Sequence, residues 1–531
     1  VVKGGKPASQ SFHPQQPAPV STPAGITGDK KVKKRRAPLA QTADRDSPFA
    51  LNEQDRERMG ARLDLALRRA RRSGAPTLAT STVKLPGTVD PSAVVCASRR
   101  GGEEGEPWFA FEQPDRGGAA LAALGEAVCL SGAGAERFAS VADRWRGLAA
   151  SAVGDPLDDP DRSGPVAVGG FAFAPEGGGT PAWEGFDPAS LVVPEVAIRR
   201  AAVGGRGRDR REEPQVRLTL AALMAPDDTS EEVLERLEGR LAQLRERALP
   251  LLDPAPTGGY GVSSAMPPEH YEAAVEHATA LIRAGELEKI VLAREVQARA
   301  PRPHDPAAML GVLREAFPEC FCFCVGRGEA TLIAASPELL VRREGHRVST
   351  LALAGSTRRS ADPAVDAHLG EQLLRDASYR EEHAIVARRI ERTLRPHAVW
   401  VAAAPEPELA KIANIQHLAT PIRAQLAAPI DALELAELMH PTPAVGGEPR
   451  EAAAPLIPAL EGLDRGWYAG PVGWTDATGD GEFCVALRCA LLRENLARCY
   501  AGNGIVRDSN PQAELAETEV KLQALLPLLA G

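Results

Sequence analysis

The chain has 531 residues, of which 44% are apolar and 25% charged, and its formal net charge is −9. That length can bury a large core, the acidic balance argues against a general nucleic-acid role, and eight cysteines in so long a chain exclude a disulfide scaffold. No apolar run reaches membrane-spanning length and no secretory segment opens the chain, so the expectation is a cytoplasmic protein without membrane contact.

Residues 1–45, rich in Pro, Ser, Gln and Lys, predict a disordered tail. Its basic run KKVKKRR reads as a solvated segment before it reads as a binding or targeting signal. RERMGARLDLALRRARRSG (56–74) predicts a helix or a basic linker. Strands are expected in VAVGGFAFAP (166–175), LVVPEVAIRR (191–200) and PQVRLTLAALM, followed by a helix capped by DDTS with the body VLERLEGRLAQLRERAL. Residues 46–250 thus form an N-terminal part, and LDPAPTGGYGVSS (252–264) a connector to a C-terminal part over 262–531.

That second part opens with a helix that changes period to a strand across Gly285. In CFCFCV, Cys320, Cys322 and Cys324 alternate with Phe321 and Phe323. Neighbours on one strand are poorly splayed for tetrahedral metal ligation, so buried small side chains are the better reading. TLIAASPELLVRREGHRVST (331–350) predicts a hairpin, and DAHLGEQLLRDASYREEHAIVARRIERTL one long helix. ELAELMHPTP reads as a helix stopped by prolines. The segment from GWYAGPVGW to AGNGIV reads as three strands and two turns, and QAELAETEVKLQALLPLL closes the chain as a helix. The pattern is mixed α/β with long antiparallel strands, and no repeat of fixed spacing occurs.

Several of these segments carry chemistry. Glu514, Glu517 and Lys521 share one helix face, where an exposed Glu–Lys pair contributes about 0.3–0.5 kcal/mol and nothing more. Glu382 lies mid-helix; if it met Glu517 in space, the two would suit Mg²⁺, a hard ion that takes oxygen ligands and keeps several waters. Lys289 enters the apolar run IVLA directly. It is either a strand-end lysine reaching solvent or a base in a dry pocket. Glu338 in SPELL is either a turn carboxylate or an acid kept protonated by burial. Arg488, in the alternating apolar segment ALRCA, needs a buried partner or an anionic ligand. Gly502 and Gly504 in AGNGIV predict a tight turn whose amides suit a carboxylate. Read alone, His440 before a proline is structural. No phosphate-loop or dinucleotide fingerprint is present, so nucleotide use has no support.

Taken in order, EKIVLAR (288–294), SPELL (336–340), LAGSTRR (353–359), YREEHAIV (379–386), HPTPAVGG (440–447), DRGWYAGPVGW (464–474), ALRCA (486–490), AGNGIV and AELAETEVK (513–521) resemble the chorismate-utilising enzymes, and among them the isochorismate synthases, most closely the menaquinone type. The resemblance runs from about residue 262 to the end and is looser before it. It implies large antiparallel sheets in a sandwich with helices packed outside, an α/β (α+β) fold onto which the N-terminal part packs.

It also implies an isomerase that exchanges chorismate and isochorismate by adding water at C2 and losing the C4 hydroxyl. By position, Lys289 corresponds to the general base and Glu338 to the general acid. Glu382 and Glu517 correspond to the Mg²⁺ ligands, with Glu514 assisting. Gly355, His440, Ala444, Arg488, Gly502 and Lys521 correspond to substrate contacts. The alternatives within the family are salicylate synthase, which also eliminates pyruvate, and the anthranilate and aminodeoxychorismate synthase components. Those components use ammonia from an amidotransferase, and no such subunit is expected here. A non-catalytic chorismate-binding protein is disfavoured by the complete set Lys289, Glu338, Glu382 and Glu517. Isochorismate can supply menaquinone, a siderophore or salicylate, and no oligomer interface is readable.

Overall fold

Alternating apolar side chains from both parts of the sequence build two antiparallel sheets that share one core. The computed structural model describes residues 47–100, 105–156, 164–201, 214–253 and 257–530. All lie within one unit spanning Asp44–Gly531. The expected tail over 1–45, with its basic run, lies outside the described residues.

Among the described residues, the larger sheet has 12 strands and the smaller 10. In the larger sheet, five strands from before residue 225 are followed by Phe321–Arg327, Ala330–Ser336, Cys489–Arg493, Leu496–Ile505 and Lys289–Arg299. The seam is Trp108–Gln113 against Phe321–Arg327, with Phe111 opposite Phe323. In the smaller sheet, Val166–Phe171 pairs with Pro471–Asp476. Both sheets are therefore continuous across the two parts of the sequence. Phe111, Phe321 and Phe323 of one sheet and Phe171, Val472 and Phe483 of the other belong to one apolar cluster.

Local signals explain much of this. The helix Pro268–Ala284 starts on proline and ends on Gly285, whose φ of 82° closes it before the strand Lys289–Arg299 begins. Thr229 caps the helix Ser230–Leu241 through the amide of Glu232, although that helix stops short of its expected end. The basic stretch at 56–74 lies in the helix Glu53–Ser73. Cys320, Cys322 and Cys324 pack in one core cluster while Phe321 and Phe323 pack in another, as small buried side chains on one strand face.

Several local expectations fail. LVVPEVAIRR is not one strand but parts of two, Ala189–Val193 in the smaller sheet and Val196–Arg200 in the larger. The long helix is two, Pro363–Arg375 and Ala377–Leu394, because Asp376 ends the first and caps the second through the amides of Ser378 and Tyr379. The end of the connector, Gly261–Ser264, adds a short strand to Lys289–Arg299. The hairpin at 331–350 is confined to Leu339–Glu344 and Arg347–Arg358, since Ala330–Ser336 belongs to the other sheet. The C-terminal meander likewise has four strands and leaves one sheet for the other between Gly481–Val485 and Cys489–Arg493.

Those two crossings lie side by side. The amide of Val485 donates to the carbonyl of Glu338 at 3.0 Å, and the amide of Ala335 to the carbonyl of Arg488 at 3.2 Å. Glu338 and Arg488 thus emerge together where the sheets part.

Candidate active site

A cavity of about 320 Å³ opens beside the paired crossings. Glu338, Gly355, Glu382, Arg488 and Lys521 all line it. Ala444, Gly502, Glu514 and Glu517 line it too. Lys289 lies just beneath, fully buried, with its Nζ 2.8 Å from Glu382 Oε1.

This contact needs space, which a glycine provides. A Cβ on Gly504 would stand 2.5 Å from Lys289 Cε and 2.4 Å from Glu382 Oε1. AGNGIV is not the expected turn: Gly502 and Gly504 sit inside the strand Leu496–Ile505 and clear room above it. The carbonyl of Gly502 accepts from Lys521 Nζ at 3.1 Å. Gly355 is the residue at a strand irregularity with φ 72°, a conformation glycine adopts without strain.

Glu338 is 2% exposed. Burial pushes its carboxyl up to about 8 against the opposing pull of Lys289, Thr442 and Arg488, so the group is protonated at neutral pH. Its side-chain contact is Thr442 Oγ1 at 3.5 Å.

Arg488 has φ 47° at its crossing, and burial lowers its pKa. Its Nη2 lies 3.3 Å from His417 Nε2, while His417 Nδ1 lies 3.2 Å from the carbonyl of Gly355. Burial, with Arg488 and Lys521 nearby, holds His417 well below the usual imidazole range. The neutral ring then donates from Nδ1 to Gly355 and accepts from Arg488 at Nε2, which fixes the guanidinium.

The three expected metal carboxylates reach one cavity but not one coordination sphere. Glu382 is turned onto Lys289. Glu517 accepts from Ser356 Oγ at 2.6 Å and faces Lys521 Nζ at 2.7 Å. Burial alone would raise Glu517, but Lys521 and Ser356 outweigh it and hold the carboxylate low. Glu514 accepts from Asn503 Nδ2 at 3.0 Å and is pushed up to about 7 by burial and by the charge of Glu517. Among the described residues, no three His, Cys, Asp or Glu side chains converge as a metal site.

His440 is the one expected contact that stands apart. It is buried, it does not line the cavity, and its Nε2 lies 3.0 Å from the carbonyl of Phe173. Burial lowers it to about 3, so the ring is neutral and donates to that carbonyl between Phe138 and Phe173. Ala444, four residues on, does reach the cavity.

His417, Ser356 and Asn503 are site residues that sequence reasoning missed. His417 and Ser356 face each other across Arg347–Arg358 and Ile415–Leu426. Ser356 and Asn503 lie inside LAGSTRR and AGNGIV, whereas the one local signal of His417 was its place in a strand, which many polar residues share.

Residues 65–530 match the family model described as chorismate binding enzyme. The chain belongs to that family. It is 37% identical over 426 residues to the salicylate biosynthesis isochorismate synthase of Pseudomonas aeruginosa, covering 80% of this chain and 85% of the relative. It is 33% identical over 368 residues to an isochorismate synthase of Bacillus subtilis, covering 69% and 75%. The structure of the menaquinone-specific isochorismate synthase from Escherichia coli superposes with a TM-score of 0.69 at 26% identity, covering 88% of this chorismate-binding enzyme and 99% of that chain. Anthranilate synthase component I from Streptococcus pneumoniae, at 22% identity and a TM-score of 0.54, shares the fold over 69% of this chain and 80% of that one.

Proposed function

We propose that the protein is an isochorismate synthase, which interconverts chorismate and isochorismate in a magnesium-dependent reaction. One observation carries the reading beyond family membership. One cavity brings the buried carboxyl of Glu338 together with Arg488 and Lys521, which suit the carboxylates of an anionic substrate, and with Glu382, Glu514 and Glu517, which suit a cation, while the buried Lys289 lies against Glu382. Burial raises the carboxyl of Glu338, which suits it to the acid role.

Arg488, held by His417, is placed to take one substrate carboxylate in its fork, and Lys521 adds positive charge to the same wall. Lys289 Nζ, acting as the neutral amine, takes a proton from water as its oxygen bonds to C2. The double bonds shift, the C4–O bond breaks, and its electron pair leaves with the oxygen. Glu338 supplies the proton that turns this oxygen into water. The reverse reaction uses the same groups with their proton states exchanged, so the interconversion is reversible. Positioning and electrostatics supply the acceleration, and no redox group is required.

The residues fit a divalent cation in donor chemistry. Glu382, Glu514 and Glu517 offer hard oxygen ligands around one cavity, and burial together with the charge of Glu517 raises Glu514, a repulsion that a cation would relieve. Bound there, Mg²⁺ would supply charge for the second substrate carboxylate. Among the described residues no helix is long and apolar enough to cross a membrane, and with water as the proposed nucleophile the reaction calls for no amidotransferase subunit. The route we favour for its product is the menaquinone one, which the resemblance of the motifs implies.

The test is product analysis of purified protein with chorismate, with and without Mg²⁺, by chromatography and mass. Isochorismate in equilibrium with chorismate, formed without pyruvate and only with the metal, is expected. Salicylate with pyruvate would move the protein to the salicylate synthases, and product formed only with ammonia to the aminating relatives.

A further inference from the structure

A second cavity, of about 420 Å³, lies against the strand Lys289–Arg299 on the far side of an aromatic wall. Trp183 faces this cavity and stacks on Tyr500 with ring centroids 5.8 Å apart. Tyr500 stacks in turn on Tyr468 at 5.2 Å, and both tyrosines line the active cavity. The second cavity is largely apolar, with Trp183, Tyr271, Leu292 and Leu463 around it and Met266 on its rim.

Its charged groups are already occupied. Arg498 lies 2.6 Å from Glu295. Arg294 is bound by Glu519, Thr518 and Ser264. Asp464 accepts from the amides of Gly178, Thr180 and Gly466 at 2.9–3.1 Å. Glu461 is spent on Arg465. A dianion such as the substrate of the first cavity would find no free countercharge here, whereas a flat uncharged ring would meet aromatic faces and a soft thioether.

The two cavities share more than the wall. Glu461 lines the second cavity, and its carboxylate accepts from the amide of Ala293 at 2.7 Å and from Arg465 Nε at 3.0 Å. Arg465 then donates to the carbonyls of Val445 at 2.8 Å and Val291 at 3.0 Å, and both valines line the active cavity. A ligand pressing on Glu461 or on the ring stack therefore bears on the backbone around the substrate.

We propose that the second cavity is an effector site for a neutral aromatic molecule of one or two fused rings, whose binding alters the affinity of the active cavity for chorismate. The site and its ligand class do not depend on which reaction the enzyme performs.

The probe is 2-naphthol, titrated into the full chain by calorimetry. Saturable binding is expected, weakened at least about tenfold by Ala182→Trp, which fills the cavity. Met266→Trp, on an exposed rim position, should weaken it as well and guards against misfolding of the first variant. Chorismate titrated with and without saturating 2-naphthol should differ in dissociation constant by about fivefold or more, and this difference should vanish in both variants. Absence of saturable binding, binding unchanged in a folded variant, or an unaltered chorismate constant would overturn the proposal. Because these readouts are binding constants, they stand or fall separately from isochorismate formation.

Discussion

Two buried charge centres are anchored on the strand Lys289–Arg299, and they are built to opposite rules. In the Glu461–Arg465 centre every demand is met: the guanidinium reaches the carboxylate and two carbonyls, and the carboxylate also takes the amide of Ala293. The centre around Lys289, Glu338 and Arg488 is left short among the described residues. Lys289 has one carboxylate, Glu338 a contact at 3.5 Å, and Arg488 a neutral imidazole. A saturated pair holds the fold, whereas an under-satisfied set keeps donors and acceptors for a ligand.

The largest effect that would sharpen this contrast is on turnover. Lys289→Ala and Glu338→Gln should each lower kcat by about 10²–10⁴ while chorismate still binds, as steady-state kinetics and calorimetry would show. Near-normal turnover in Lys289→Ala would break the assignment. Next comes Arg465→Met, which leaves the buried Glu461 unpaired. It should cost about 3–5 kcal/mol of stability in urea unfolding, and Glu461→Leu with Arg465→Met should recover most of it. If Arg488→Gln were as destabilising as Arg465→Met, the distinction between the centres would fail. Instead it should leave the unfolding midpoint nearly unchanged and weaken chorismate binding about 10- to 100-fold, with Arg488→Lys restoring only part.

The last effect is in pH. Glu338 is ordinarily about 4.5 and stands at about 8 in the folded protein. The acid is present below that value, so kcat/KM should fall as pH rises through about 8. The sign for stability follows: between the two values the native state binds the extra proton, so this residue lowers stability as pH rises across the window. Glu338→Gln should flatten that slope, which unfolding at a series of pH values would measure.

Much of the site could be read from the chain because each motif carries its own chemistry. Lys289, Glu338, Glu382, Glu517, Arg488 and Lys521 do meet around one cavity. What escaped was long-range. A period-two pattern shows that a segment is a strand but not which sheet it joins, so the crossings that place Glu338 and Arg488 together read as a hairpin and an ordinary strand. DAS inside a helical pattern gave no break, yet Asp376 there ends one helix and caps the next. Glycines in AGNGIV suggested a turn because their reason, the space for Lys289 and Glu382, lies on other elements. His440 carried a family motif but is turned onto Phe173, while His417, in no motif, holds Arg488.

The central claim is that Lys289 activates water and that the oxygen lost from C4 is a different atom. Turnover of chorismate in H₂¹⁸O, with the product recovered before back-reaction and read by mass spectrometry, tests it most directly. The account predicts one ¹⁸O in isochorismate, at C2. Isochorismate formed without label would mean that the original hydroxyl migrates, and it would contradict the roles given to Lys289 and Glu338.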